Sequence, residues 1–239
     1  LRSRGLGDVY KRQAFELLNE PHDGTPDATG WNKLQNEVLT AVREQDPERI
    51  VFVPAMGWQD YNYIKYARVA EEDPNAVVSF HYYLPMLLSH YKMLAWVGYQ
   101  GAVQYPGVVI PTQSDADKYP QYASFHKTTY NADRIMGEMS NAASDGRNAG
   151  LAVHCGEFGC SKNVAEAMRL AWFTDMVAAM EANNIPWTLW ECLDGGFGFV
   201  DMEYGIYRIN CPLLKVLTGK ELTDAEAKAL LQKYGFKTE

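Results

Sequence analysis

Short apolar runs alternate with amphipathic stretches along this chain, and that alternation limits the fold more than any other feature. Residues 14–18, 50–54, 76–81, 151–155 and 186–191 read as strands, and 50–54 is apolar throughout, as in a strand covered on both faces. Between them, residues 31–45 carry Trp31, Leu34, Val38 and Val42 at three- and four-residue steps, the stripe of an amphipathic helix. Asp46-Pro47 ends that helix, because proline cannot continue it. A weaker helix is expected over 61–70 and a stronger one over 131–147. Asn163 with Glu166 reads as a capping box opening a helix to about residue 183, and Thr223 with Glu226 caps a last helix ending near 234. Residues 82–122, rich in Tyr, Pro and Gly, form a connection too long to be a plain linker, and such segments usually carry function.

Regular strand–helix alternation implies a parallel sheet with right-handed crossovers. A doubly wound sheet and a (β/α)8 barrel both satisfy it. No GxGxxG or Walker loop follows any of the runs, which removes the usual mark of a nucleotide-binding sheet. Acid, imidazole, phenol and indole groups stand at the run ends instead, and reactive groups placed after several different strands are the barrel pattern. The fold class expected is α/β, an incomplete (β/α)8 TIM barrel: a complete one takes about 250 residues and eight strands, and five runs are found.

Composition narrows the partners. The chain is 47% hydrophobic and 22% charged, the balance of a folded globular protein. The net charge of −8 comes without a basic stripe after the first residues, which argues against nucleic acid and anionic membranes as partners. No apolar run approaches the roughly 20 residues of a membrane span. Aromatics reach 13%, enough to fill a core and still line a surface for ring-shaped ligands. Cys155, Cys160, Cys192 and Cys211 are too few and too irregular for a disulfide framework; buried thiols are expected, with one bridge between strand ends as the alternative. His22, His90, His126 and His154 show no metal-ligand spacing, and neither a metal nor another cofactor is expected.

Residues 1–13 stand apart. Arg2, Arg4, Lys11 and Arg12 face Asp8 alone, and the composition changes at Ala14. The stretch lacks the apolar centre and small-residue cleavage site of a signal peptide. It reads as a non-native, adapter-like segment, leaving 14–239 as the C-terminal part of a barrel catalytic domain whose first three strands are missing.

Glu20 and Glu157 each follow an apolar run and precede a turn. Hydrolysis of a glycosidic bond needs two carboxyl groups, one protonated to donate to the leaving oxygen and one ionised. Either acid alone would more often be an ordinary turn residue. Together with their surroundings they carry a resemblance. Phe15-Glu16-Leu17-Leu18-Asn19-Glu20-Pro21-His22 resembles the fourth-strand motif of glycoside hydrolase family 5, the large cellulase family. Phe80-His81-Tyr82-Tyr83-Leu84-Pro85 is similar to its sixth-strand motif, Gly156-Glu157-Phe158-Gly159 to its seventh, and residues 185–198, with Trp190 and Gly195-Gly196-Phe197-Gly198, to its eighth.

The resemblance implies that strands four to eight are present. It also implies that Glu20 is the general acid/base and Glu157 the nucleophile of a retaining double displacement. Asn19 would hold the 2-hydroxyl of the sugar being cleaved, and His81 would bond substrate or a catalytic carboxylate. Tyr83 would bond Glu157, Trp190 would stack under the central sugar, and Trp58 would line a neighbouring subsite. The bland alternatives are an Asn satisfying its own turn, a core histidine, a loop-anchoring phenol and core tryptophans; Trp31, Trp96, Trp172 and Trp187 are left structural or unassigned. The substrate expected is a β-1,4-glucan polysaccharide or oligosaccharide, cut internally by a secreted monomer. Mannan, xyloglucan or mixed-linkage glucan is the nearest rival, and a non-catalytic carbohydrate-binding barrel the rival of another class. The family's second-strand Arg and third-strand His have no counterpart, and an open five-strand sheet exposes its edges and half of the barrel core, so the chain by itself is expected to be unstable and inactive.

Overall fold

The computed structural model describes residues 13–22, 24, 27–70, 73–93, 98–193 and 195–239. The adapter-like stretch, except Gln13, and Trp96 lie outside the described residues. The chain falls into two compact units, one built from the described residues up to Tyr82 with Ser140–Gly156 and Ile185–Trp187, the other from Tyr83–Met139, Glu157–Asn184 and Thr188–Glu239.

The first unit is built on a sheet of strands β1 (Phe15–Glu16), β2 (Val51–Pro54), β3 (Ala76–Tyr82) and β6 (Ala152–Phe158), in the order β1-β2-β3-β6. The β1–β2 and β2–β3 pairs are parallel, with Phe15 opposite Val51 and Val53 opposite Val78. Val51, Val53, Val78 and Phe80 are buried, as their β-branched or aromatic side chains and continuous apolar runs require. β1 is shorter than its apolar run and lies at the sheet edge, so Phe15 and Leu18 stay exposed. The Arg49 guanidinium covers the Phe15 ring at 4.9 Å.

Helix α1 (Thr29–Gln45) buries Trp31, Gln35 and Leu39. The seam therefore runs at four-residue steps, and Leu34 and Val38 of the expected stripe face solvent. Apolar residues alone did not fix the face, because a protein surface carries apolar side chains too. The indole N–H of Trp31 donates to the carbonyl of Pro54 at 2.8 Å, tying α1 to the end of β2. The helix expected over 61–70 is a 3-10 turn, Tyr61–Tyr66, capped by Asp60, whose carboxylate accepts from the Asn62 N–H at 2.8 Å.

β6 runs further than expected, so Glu157 lies within the strand and not on the turn after it. The strand expected over 186–191 is reduced to a parallel bridge between Trp187 and Cys155, beside a bond from the Cys155 N–H to the Pro186 carbonyl at 3.0 Å. Proline has no N–H with which to continue the ladder.

In the second unit the long segment after Tyr82 is ordered by its own tyrosines. Tyr99 and Tyr105 are buried; Tyr99 donates to the Ala102 carbonyl at 2.6 Å and Tyr105 to the Asp175 carboxylate at 2.5 Å. Strands β4 (Gly107–Val108) and β5 (Thr129–Tyr130) form a small antiparallel ladder there. Helix α2 (Ala132–Ala149) belongs to this unit up to Met139 and to the first from Ser140, and α3 (Glu166–Ala182) packs Trp172, Phe173, Met176 and Met180 inward. The expected Asn163 cap of α3 does not form: its amide donates to the Tyr91 carbonyl at 3.2 Å, and the helix opens at Glu166 without a side-chain cap. β7 (Val200–Glu203) and β8 (Ile206–Ile209) make an antiparallel hairpin that the sequence reading missed. Its two-residue turn, Tyr204-Gly205, has φ of 50° and 76°, as a type I′ turn needs. Helices α4 (Cys211–Thr218) and α5 (Asp224–Lys233) close the chain, and α5 carries the expected Thr223–Glu226 capping box. All four cysteines are free, with Cys155 and Cys160 buried, so the bridged alternative is not adopted. No helix among the described residues is long and apolar enough to cross a membrane.

Candidate active site

In the first unit, Glu20 follows β1 with φ at 49°, left-handed backbone that costs a non-glycine residue about 1–2 kcal/mol. A second left-handed run, Gly57-Trp58-Gln59, follows β2 with φ of 68°, 64° and 54°. This run laces to the segment around Glu20 at three points. The Trp58 N–H donates to the Pro21 carbonyl at 3.1 Å, the Glu20 N–H donates to Gln59 Oε1 at 2.7 Å, and the Trp58 indole stacks on the His22 ring at 5.0 Å. The reversed handedness turns Trp58 outward, 59% exposed, and Gln59 inward, fully buried. Asn19 is exposed beside Glu20.

The Glu20 carboxylate meets His81, a buried residue of β3, with Nδ1 3.0 Å from Oε1. His81 and Ser79 lie two apart and share one face of the strand. Gly156 of β6 is required against that face: a Cβ there would stand 2.6 Å from Ser79 Oγ. Two residues earlier on β6, burial and then the nearby His81 lower the pKa of the His154 imidazole, which stacks on the Phe52 ring at 4.5 Å.

In the second unit, the Tyr83 phenol donates to Glu157 Oε2 at 2.9 Å. Tyr83 directly follows β3, and its own position is fixed from several sides. Buried Ser89 donates its hydroxyl to the Tyr83 carbonyl, the His90 ring lies 4.9 Å from the phenol ring, and Phe197 lies 5.8 Å from it. The indole N–H of Trp172 holds the next carbonyl, Leu84, at 3.0 Å. Trp190 is 46% exposed, and its N–H donates to the Phe158 carbonyl at 3.0 Å. Gly159 cannot be larger, because a Cβ would stand 2.3 Å from the Trp190 carbonyl.

Behind these groups, Arg169 of α3 is buried, with Glu166 and Asp201 close enough to act on its charge. It donates to the carbonyls of Cys160 at 2.8 Å, Gly198 at 2.8 Å and Phe197, fixing the turn that supports the Tyr83 ring. Sequence reasoning gave no site role to Gln59, Ser89, His90 or Arg169, and Phe197 entered it only within the Gly195–Gly198 motif. A lone arginine on the apolar face of α3 was the one readable signal among them.

The residues singled out by sequence thus fall into pairs within each unit: Glu20 with His81, and Tyr83 with Glu157. Residues 6–196 match the family model described as Cellulase (glycosyl hydrolase family 5). The chain belongs to glycosyl hydrolase family 5. Among proteins similar to this family 5 chain, Endoglucanase C of Acetivibrio thermocellus is 27% identical over 202 residues, covering 81% of this chain and 55% of its own. Endoglucanase C307 of a Clostridium species matches to the same extent. The chain therefore spans about half the length of these relatives. A solved hyperthermophilic endo-beta-1,4-glucanase in complex with substrate superposes with a TM-score of 0.69 at 24% identity, over 91% of this chain and 62% of that one. The fold is accordingly that of the family 5 (β/α)8 barrel, of which the parallel strands β1, β2 and β3 form part.

Proposed function

We propose that the protein carrying this chain hydrolyses β-1,4-glucan at internal linkages with retention of configuration. The observation that carries the reading is the Tyr83 phenol on the Glu157 carboxylate, in a family 5 chain where the resemblance expects the nucleophile. In the first step a Glu157 oxygen attacks the anomeric carbon while the glycosidic C–O bond breaks, and the Glu20 proton passes to the leaving oxygen. In the second step water attacks the anomeric carbon of the glycosyl ester, Glu20 takes the water's proton, and Glu157 leaves as carboxylate. Asn19 holds the 2-hydroxyl, His81 orients Glu20, and Trp190 and Trp58 offer exposed indole faces to flanking sugars. Because an insoluble polymer cannot enter a cell, the protein acts outside it.

The test is threefold. Proton NMR of the first product from a cello-oligosaccharide should show the β-anomer. Carboxymethylcellulose should lose viscosity well before reducing ends accumulate. A 2-deoxy-2-fluoro cellobioside should label the peptide containing Glu157. An α-anomeric first product, or a label elsewhere, defeats the reading. Turnover on mannan or xyloglucan in place of carboxymethylcellulose would reassign the substrate and leave the mechanism in place.

A further inference from the structure

We propose that Gln59 is a positioning residue that holds Glu20, through its backbone N–H, in the left-handed conformation from which its carboxyl meets His81. This rests on the reading of Glu20 as the acid/base. Gln59 is fully buried, and its amide touches three groups: Oε1 accepts from the Glu20 N–H at 2.7 Å, while Nε2 donates to Glu16 Oε1 at 3.1 Å and to Ser79 Oγ at 3.2 Å.

The chemistry of those partners fixes which way the amide faces. The Glu20 N–H can only donate and an ionised Glu16 carboxylate can only accept, so the flipped amide would oppose two like groups. Glu20 is therefore held at two points that share one reference. Its carboxylate meets His81 of β3, and its backbone meets Gln59, which is bonded to Ser79 two residues earlier on the same face of β3. The two left-handed segments, at Glu20 and at 57–59, each lie in sparsely populated backbone space, and such conformations persist only where their surroundings over-determine them. Without the Gln59 acceptor, the Glu20 N–H would be left seeking a partner, and the backbone would be free to relax toward a commoner φ.

The test separates a displaced acid from a general loss of structure. Protonation of the leaving oxygen matters for a poor leaving group and hardly at all for a good one. In the full-length enzyme, Gln59→Leu should lower kcat/KM on a phenyl cellobioside by about 10- to 100-fold, the scale of a sub-ångström to ångström misplacement. On the 2,4-dinitrophenyl cellobioside the loss should be small. Equal losses on both substrates, or none on either, overturn the proposal. Gln59→Glu is the second variant and decides the matter if Gln59→Leu does not fold. Protonated, its carboxyl can accept from the Glu20 N–H and donate to Glu16 as the amide does, so activity on the phenyl substrate should recover as the pH is lowered. A pH profile parallel to the parent's on both substrates overturns the proposal. Glu20→Gln is the control. If it shows no leaving-group dependence, the acid reading of Glu20 fails and the proposal with it; if Glu20→Gln shows the dependence and Gln59→Leu does not, the proposal alone fails.

Discussion

The Tyr83 hydroxyl stands 2.9 Å from Glu157 Oε2, while the Tyr83 carbonyl is held separately by the buried hydroxyl of Ser89. Tyr83 is thus held both at its hydroxyl and at its backbone. A hydrogen bond to a charged acceptor contributes about 1.5–3 kcal/mol. Tyr83→Phe should therefore lower kcat by about 10- to 100-fold. Inactivation by a 2-deoxy-2-fluoro glycoside, which requires only the nucleophile, should slow by a similar factor. An unchanged inactivation rate would remove Tyr83 from the machinery.

Arg169 satisfies carbonyls of Cys160, Phe197 and Gly198 from a buried position. Arg169→Leu would leave them without a donor, each at about 1–3 kcal/mol if no water replaces it. The expected loss in urea denaturation is about 3 kcal/mol in total, since such effects do not add fully. A change under about 0.5 kcal/mol, the ordinary range for surface positions, would show that the turn holds itself.

The alkaline limit of stability should begin with a thiol. Burial pushes the Cys160 thiol from its ordinary 9.0 up to about 12. Below pH 9 both folded and unfolded chains keep the proton, and its contribution to stability is complete. From pH 9 toward 12 the unfolded chain sheds the proton and the folded one does not, so stability falls as the pH rises. Tyr99 and Tyr105, both raised by burial first and by Asp115 and Asp175 respectively after it, act with the same sign at higher pH. Cys160→Ala should flatten the fall in urea midpoint between pH 9 and 10, before the phenols contribute. A slope identical to the parent's there would contradict the assignment.

Trp58 makes a ring contact with His22 but is largely exposed, as is Trp190. Either indole changed to Ala should leave the unfolding free energy within about 0.5 kcal/mol of the parent, as for most surface positions. KM for cellohexaose should rise several-fold if the faces bind sugar, an aromatic contact being worth about 0.5–1.5 kcal/mol. An unchanged KM for Trp58→Ala would confine Trp58 to its His22 contact.

Strand positions were legible because buried parallel strands write themselves as continuous apolar runs: β2 and β3 fall where Ile50–Pro54-type and Ala76–His81-type patterns put them. The family was legible because the order of its motifs along the chain is distinctive. What the sequence did not disclose depends on backbone geometry. The β7–β8 hairpin turns on Tyr204 adopting φ of 50°, which no Asn-Gly pair announced. Gln59 is an ordinary amide by composition, and only the reversed backbone of 57–59 carries it inward. Asn163 had the spacing of a cap, yet a carbonyl from the distant Tyr91 segment claimed its amide. Local pattern yields there to a partner from elsewhere in the chain.

The Gly57-Trp58-Gln59 turn places an open indole and a buried amide on consecutive residues. Inserting or deleting one residue would move both off the positions that this left-handed turn gives them. A change in the length of the loop that displays Trp58 would therefore disturb the Glu20 backbone at the same stroke, and engineering here is confined to substitutions that keep the turn's length.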